Sequence, residues 1–409
     1  MSKLSAPRGT FDILPDQAAV RAHVEHVAAE LLEGAGYGRI ETPTFEATEL
    51  FSRGVGEATD IVQKEMYSFD DGGGRSLTLR HEGTAPVCRA YVEHGMHKLP
   101  LPVRLYYLSS FFRAERPQAG RYRQFWQLGI EALGSDAPEV DAEAIVLLVT
   151  ILRRLGVKDV RLRLSSLGSP DTRAAYREDL GVYLRAHADR LAANVRERIE
   201  LNPLRAFDSE DPGTREVMAG APRLLDRLDP EDAEHFATVR ELLDRAAVAY
   251  EIDSTLVRGL DYYTRTLFEF TSDALGAQSG VAGGGRYDGL IEQLGGPPAA
   301  GIGWAAGIER ILMASSERPP AVHALDLYVA FDDARADAFA TLTESRKAGL
   351  AAQMELAGRS LKGQLKQAER LGARFVAIVD GESVRLRDLR AGTEETIARA
   401  ALVDRLVAA

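Results

Sequence analysis

The chain has a single cysteine, Cys88, among its 409 residues. That excludes an internal disulfide framework and any zinc site built on cysteine. No run of about eighteen apolar residues occurs, so no membrane-spanning helix is expected. The opening stretch MSKLSAPRGTFDILPDQ lacks an apolar signal core and a cleavage site. A cytoplasmic protein without membrane attachment is the expectation. No G-x-x-x-x-G-K-[ST] loop is present, so any bound phosphate must be held by separate side chains. Histidine is scarce, at 8 residues. His94 and His97 are three apart, but no third ligand is visible beside them, so no metal site is expected from protein side chains.

Positive charge is in deficit too, with 50 Lys and Arg against 61 Asp and Glu and a formal net charge of −11. Proteins that live on nucleic acid are often basic, because phosphate contacts dominate that affinity. The deficit is uneven, however. From His323 to Ala409 there are 13 basic and 13 acidic residues, so the first 322 residues carry all of the −11. Within 346–374, seven basic residues stand against two acidic ones. This is compatible with nucleic-acid contact but does not demonstrate it, and a solvated helix face explains the same charges. The remaining composition, 45% hydrophobic and 27% charged, is that of a globular chain long enough for two or three domains.

Several segments have a readable period. Residues 17–36 show helical spacing that ends at Gly34–Gly36. VRLYYLSSFFRAE and RQFWQLGIEALG read as two strands of an antiparallel pair joined by the long loop RPQAGRY. Residues 138–155 read as a helix and VRLRLSSLG as a strand. From Pro170 to about Tyr250 the strands vanish, and Tyr176, Leu180, Tyr183, Leu191, Val195 and Ile199 recur at helical spacing, which suggests a helical insertion. GGGRYDGL (283–290) reads as a turn into a helix, and GIGWAAGIERILMA (301–314) as a glycine-rich strand running into a helix. SSERPPAVH (315–323) has a linker composition. Beyond it, LDLYVAF, ARFVAIVD and SVRLRDL alternate with helical segments, as in a small α/β domain.

Two stretches invite a chemical reading. On a strand, Gln127, Gly129 and Glu131 share one face while Trp126, Leu128 and Ile130 share the other. The glycine leaves a gap between an amide and a carboxylate, which could receive a small polar ligand or simply form a solvated face. Arginines accumulate nearby, at Arg113, Arg116, Arg121 and Arg123, and again at Arg258, Arg286 and Arg310; their forks suit phosphate oxygens. LVRGLDYYTRTLFEF (256–270) sets a cation, a carboxylate and two phenols at the mouth of a strand. A surface hairpin with a solvated Arg258–Asp261 pair fits that stretch as well as a binding site does.

Six segments, in order, make the pattern specific. YGRIETPTFEATELFSR, SSFFRAERPQAGRYRQFWQLGIE and GIGWAAGIERIL resemble the three motifs of class II aminoacyl-tRNA synthetases. LRHEGTA, LVRGLDYYTRTLFEF and GGGRYDGL resemble the amino-acid-binding loop and the two histidine-specific peptides of the histidyl-tRNA synthetase family. The likeness spans nearly the whole chain. It implies an α+β protein: a class II antiparallel sheet with flanking helices, a helical insertion, and a C-terminal α/β anticodon-binding domain. The divisions expected are a catalytic domain in two parts (1–169 and 251–318), the insertion (170–250) and the anticodon-binding domain (324–409).

The resemblance also implies roles. Arg258 and Arg113 are the expected catalytic residues, Arg258 reaching the ATP α-phosphate beside the substrate carboxylate and Arg113 lying on that phosphate. Glu82, Thr84 and Gln127 would hold the α-amino group of L-histidine, with Gly83 in the same loop. Glu131 and Tyr263 would grip the imidazole beside Tyr262, and Asp261 would orient its neighbours. Arg113, Arg121 and Arg310 would bind ATP, with Mg²⁺ carried on its phosphates and the Arg310 guanidinium stacked on adenine. tRNA(His) is the expected macromolecular partner. A homodimer with Pro43 at its interface is also expected. His81 and Trp126 depart from the family pattern, where proline and histidine are usual. A non-catalytic relative, the regulatory subunit of ATP phosphoribosyltransferase, is the alternative. It lacks the anticodon-binding domain, whereas AGRSLKGQLKQAERLGARFVAIV resembles that domain here.

Overall fold

A computed structural model describes residues 4–55, 61–256, 260, 262–276, 279–316 and 325–408. They fall into two units, Met1–Arg318 and Pro319–Ala409. Among the described residues the first unit has eleven strands. In chain order these are β1 (Gly38–Arg39), β2 (Phe45–Ala47), β3 (Ser68–Asp70), β4 (Ser76–Leu79), β5 (Val103–Phe112), β6 (Gln124–Leu133), β7 (Val160–Ser166), β8 (Glu251–Ile252), β9 (Thr264–Ser272), β10 (Gly280–Arg286) and β11 (Gly301–Gly307). Eight of them form one sheet in the order β1-β5-β6-β11-β10-β9-β7-β8, and β2, β4 and β3 form a small second sheet. Neighbours within the large sheet are antiparallel from β5 across to β7. Only the outermost strands, β1 and β8, pair in parallel.

The two-residue period decides which side chains meet which core. On β6, Leu128, Ile130 and Ala132 point to one face. There they pack with Val24 and Leu32 of the helix Pro15–Gly34, with Ile145 and Leu148 of Pro138–Arg154, and with Val239 and Leu243 of Pro230–Arg245. On the other face lies a second core that includes Tyr107, Phe111, Leu267 and Tyr287. Each fully buried Leu or Ile in these layers stabilises by about 1.5–3 kcal/mol relative to exposure. The helix Pro138–Arg154 is well marked at both ends. Pro138 stands in its first turn with Glu139 and Asp141, and Arg153 and Arg154 stand in its last, which suits the helix dipole.

One ion pair ties the N-terminal helix to the end of the sheet. Arg21 Nη2 lies 2.5 Å from Glu309 Oε1, with side-chain exposures of 8% and 7%. The other Glu309 oxygen accepts the Trp126 backbone N–H at 3.1 Å. Trp126 thus lies away from Gln127 and Glu131, with Arg21 4.8 Å from its ring centroid and Phe11 alongside.

Three sequence expectations need correction. GGGRYDGL is not a turn into a helix from its start. Gly283, Gly284, Gly285 and Arg286 belong to β10, laddered to β9 on one side and β11 on the other. A glycine run shows no alternation of side chains, so the partner strands, not local sequence, make it a strand. Within 170–250 the helical pattern is broken into Pro170–Ala186, Ala193–Arg196, Pro212–Ala219 and Pro230–Arg245, with Tyr176, Leu180, Leu191, Val195 and Ile199 buried together between them.

The third correction concerns the second unit. Its strands are β12 (Leu327–Phe331), β13 (Ala352–Met354), β14 (Phe375–Asp380), β15 (Ser383–Asp388) and β16 (Thr393–Ala398), in the order β13-β12-β14-β15-β16. Helices Arg335–Lys347 and Leu361–Arg370 separate the first three, which are parallel, but β14, β15 and β16 follow one another as antiparallel hairpins. β16 is almost wholly exposed and so has no apolar alternation to read. Residues 317–324, which include most of the expected linker, lie outside the described residues.

Candidate active site

Two cavities open on the face of the sheet that carries Gln127 and Glu131. The inner one is about 110 Å³ and is lined by Glu82, Thr84, Tyr107, Tyr262, Tyr263 and Tyr287 among others. The outer one is about 350 Å³ and is lined by Glu115, Arg121, Glu269 and Arg310 among others. They share Arg113, Gln127, Gly283 and Ala305, so they adjoin. The inner cavity holds acids and phenols, whereas the outer one collects arginines.

Neighbouring glycines let long side chains lie flat on the sheet. Gly129 does not leave an open gap for a ligand, as its place between Gln127 and Glu131 had suggested. Tyr107 is its cross-strand partner, and a Cβ added at Gly129 would stand 2.3 Å from the Tyr107 ring. The ring fills the space, and the cavity lies beyond it. At Gly303 an added Cβ would stand 1.9 Å from Glu131 Oε2, so only glycine permits the carboxylate to lie there.

Glu131 has no exposed surface. Its Oε1 accepts from Thr84 Oγ1 at 2.8 Å and from the Tyr107 hydroxyl at 3.4 Å, and its Oε2 accepts from the Tyr287 hydroxyl. A carboxylate offers about four acceptor positions. When the group is ionised, three donors leave one position, on Oε2. Glu82, 4% exposed, is held in the same manner. Its oxygens accept the backbone N–H groups of Thr84 at 2.8 Å and Ala85 at 2.9 Å and the Tyr262 hydroxyl at 3.4 Å. Again one position is left. Gln127 adds a buried side-chain oxygen with no partner. Glu82 and Gln127 line the inner cavity, while Glu131 lies behind its lining residues Thr84, Tyr107, Tyr287 and Gly303.

Burial raises the carboxyl groups of both Glu82 and Glu131, and Glu131 is pushed up to about 8. Donation by Tyr287 and Thr84 only partly offsets the loss of solvent, and the nearby Glu82 charge adds to the rise. Burial likewise pushes the Cys88 thiol up, so this lone cysteine is not set up as a nucleophile.

Arg113 stands where the cavities meet. Its Nε donates to the His81 carbonyl at 3.1 Å, its guanidinium lies 5.3 Å from the Phe125 ring centroid, and Nη1 lies 3.8 Å from Glu115 Oε1. Arg121 meets the other Glu115 oxygen at 3.3 Å. Glu115 thus holds the two cations at the mouth of the outer cavity. Arg310 Nε donates to the Gly120 carbonyl at 3.2 Å, and its Nη1 to the Gly280 carbonyl. His81 is fully buried against Phe51, at 4.5 Å between ring centroids, and neither ring nitrogen has a partner. Burial, with Arg113 nearby, pushes it down to about 3, so it is neutral.

The expected site residues Glu82, Gly83, Thr84, Arg113, Gln127, Tyr262 and Tyr263 all line the inner cavity, and Arg113, Arg121 and Arg310 line the outer one. Glu131 lies in the floor beneath Thr84, Tyr107 and Tyr287. Arg258 and Asp261 lie outside the described residues. Arg286 does not join the outer cavity; it is buried against Asp141. Sequence reasoning missed Tyr107, Tyr287 and Glu115. Tyr107 could have been found only from the register of the β5–β6 hairpin, which sets it opposite Gly129.

Glu131 makes the stability of the protein depend on pH. Its folded value, about 8, is above its ordinary 4.5. The stabilisation by its proton is therefore full below about 4.5 and is lost as pH rises through about 8. Glu131→Gln should remove a decline on the order of a few kcal/mol across that window and leave the ligand-free variant the more stable protein near pH 9. Denaturant unfolding of both proteins from pH 5 to 9 checks this, and parallel curves would show that Glu131 is ionised throughout.

Comparisons with known proteins identify the family. The family model described as Histidyl-tRNA synthetase matches residues 9–311. Histidine–tRNA ligase of Desulforudis audaxviator is 48% identical over 413 residues, covering 98% of this chain and 98% of that protein. The ligase of Desulforamulus reducens is 46% identical over 407 residues, covering 97% of each. The crystal structure of apo histidyl-tRNA synthetase from S. aureus superposes with a TM-score of 0.83 at 36% identity, covering 99% of this chain and 100% of that one. The chain belongs to the histidyl-tRNA synthetase family.

Proposed function

We propose that this histidine–tRNA ligase divides its first reaction between the two cavities, with L-histidine in the inner one and ATP in the outer one. The observation that carries the reading is their junction at Arg113 and Gln127, between a floor of buried acceptors and a mouth of arginines. The ring N–H of histidine would take the remaining acceptor position of Glu131, with Tyr263 on the other ring nitrogen. The α-ammonium group would take the open positions on Glu82 and Gln127. The substrate carboxylate then lies toward Arg113, next to the α-phosphate. A carboxylate oxygen attacks that phosphorus in line, the bond to pyrophosphate breaks, and histidyl-adenylate forms. Arg113 balances the charge that develops, and Arg258 is assigned the same task by resemblance. The histidyl group then passes to the 3′-terminal ribose of tRNA(His).

Arg121 and Arg310 are assigned to the triphosphate and adenine. Mg²⁺ would arrive on the phosphate oxygens of ATP. Among the described residues no cluster of three potential ligands could cage it, and Glu115 and Glu269, on the wall of the outer cavity, are engaged by arginines. That donor set suits a cation held mainly by substrate oxygens.

Residues 324–409, within the second unit, are assigned to the anticodon. On the helix Leu361–Arg370, Lys362, Lys366 and Arg370 are exposed while Gln364 and Ala368 are buried, so the three cations share an outer face. The catalytic domain would comprise 1–169 and 251–318, with 170–250 as its helical insertion. A homodimer is proposed through the segment around Pro43, where the exposed rings of Phe45 and Phe69 meet edge to face at 6.2 Å. The cytoplasm is the proposed compartment. The regulatory-subunit alternative is disfavoured by the second unit and by near-complete coverage of two ligases.

Histidine-dependent ATP–pyrophosphate exchange tests the site. Glu131→Gln should raise the KM for histidine about 10-fold or more, as a mismatched buried polar group costs about 1–3 kcal/mol, while the KM for ATP stays within a factor of two or so. Equal losses for both substrates would make Glu131 a structural residue. Lys362→Glu with Lys366→Glu should raise the KM for tRNA, flatten its salt dependence and leave exchange unchanged; an unchanged tRNA KM would move the contact surface elsewhere. Light scattering should return twice the chain mass of 44.6 kDa, and a monomer that retains activity would remove the dimer.

A further inference from the structure

Arg286 has no exposed surface, yet it is charged and lies in the middle of the sheet. Its donors are all engaged. Nε donates to Asp141 Oδ2 at 3.0 Å, and Nη2 lies 2.6 Å from Asp141 Oδ1. Nη1 donates to Asp288 Oδ1 at 3.0 Å and to the Ser135 carbonyl at 3.1 Å, and Nη2 to the Ala137 carbonyl at 3.2 Å. Asp288 is fixed further: its Oδ1 accepts the Gly301 N–H at 3.1 Å, and its own N–H donates to Thr264 Oγ1 at 3.1 Å. Asp141 also has no exposed surface, and His235 of the helix Pro230–Arg245 lies 3.5 Å from it.

Such a cluster is a weak source of net stability. Well-packed apolar side chains of the same volume serve as well or better, because burying the charges costs most of what their attraction returns. What the cluster does fix is geometry. Tyr287 lies between Arg286 and Asp288 in the chain. Its N–H donates to the Gly301 carbonyl at 2.8 Å, and its hydroxyl reaches Glu131. With both flanking side chains anchored, the backbone of Tyr287 cannot rotate without breaking several buried bonds. The phenol is the far end of that lever.

We propose that Arg286, Asp141 and Asp288 form a positioning cluster for substrate recognition, which acts by holding the Tyr287 hydroxyl on Glu131 Oε2. Tyr287 thereby sets which acceptor position Glu131 leaves open to a substrate N–H. If the phenol drifts, Glu131 gains a second open position and loses its fixed direction, and selection for a single aimed N–H weakens. The proposal rests on the reading of the inner cavity as the histidine site, which Glu131→Gln tests separately.

A double-mutant cycle in the full-length protein tests the cluster. Asp288→Asn keeps size and an acceptor oxygen but removes the charge that Arg286 grips. It should raise the KM for histidine about 10-fold and leave the KM for ATP within about two-fold, a split that general loosening of the fold would not produce. Tyr287→Phe should have a similar effect. The double variant should be no worse than Tyr287→Phe alone, because the cluster would have nothing left to position. Effects that multiply, a wild-type KM for histidine in Asp288→Asn, or equal losses for ATP would each overturn the proposal. If Asp288→Asn melts too low to assay, Thr264→Val removes only the hydroxyl that receives the Asp288 N–H, and it enters the same cycle with the same outcomes.

Discussion

A carboxylate buried without a cationic partner is the constraint around which the catalytic unit is arranged. Glu131 lies in β6, near the middle of an eight-stranded sheet, where an isolated charge is expensive. Three hydroxyl groups, from Thr84, Tyr107 and Tyr287, donate to its oxygens but offset the loss of solvent only in part, so its carboxyl group is pushed up to about 8. Each comes from a different element: the helix Thr84–Glu93, strand β5, and the turn after β10. To bring them within reach, the chain must pair β5 with β6 in one register, leave Gly303 without a side chain, and seat Tyr107 over Gly129. The sheet order and the glycines of β10 and β11 serve this convergence. What remains is a protonatable group whose state burial and these three donors set together.

The same sheet separates two kinds of chemistry by distance along a strand. Toward the Leu133 end of β6 the face is acidic and enclosed. Toward the Gln124 end, Arg113, Arg121 and Arg310 surround a wider cavity. Arg113 belongs to both, and Glu115 lies 3.8 Å from its guanidinium on the outer side. His81, neutral and without a hydrogen-bond partner, backs this arginine and receives its Nε through a backbone carbonyl. A proline at that position would supply the same carbonyl, so the departure from the family pattern leaves the Arg113 contact intact. A protonated imidazole there would repel Arg113, and burial prevents that protonation.

Much of the fold is legible in the order and period of the residues. The helix Pro15–Gly34 and the β5–β6 pair announce themselves by period and by flanking breakers, as does the strand-to-helix run at Gly301. The phase of β6 places Gln127 and Glu131 together on one face. Legibility fails where side chains give no period. Gly283–Gly285 looks like a turn, and β16 is not visible at all, because a strand of glycines or of exposed polar residues is defined by its neighbours.

The sequence by itself determined the class of chemistry. It contains the order of motifs, the acids and arginines, and the absence of a P-loop, and it is 46–48% identical to two histidine–tRNA ligases. Tertiary structure alone decided how those residues share labour. Arg286, by sequence one more arginine for a phosphate, is sealed behind the pocket on Asp141, while Tyr107 and Tyr287, unremarked in the linear motifs, touch the buried carboxylate. The physical reason is that side-chain identity sets what a group can donate or accept. Whether it faces water, a ligand or another side chain depends on register and on elements far apart in the chain, 156 residues in the case of Tyr287 and Glu131, and no local pattern encodes that separation.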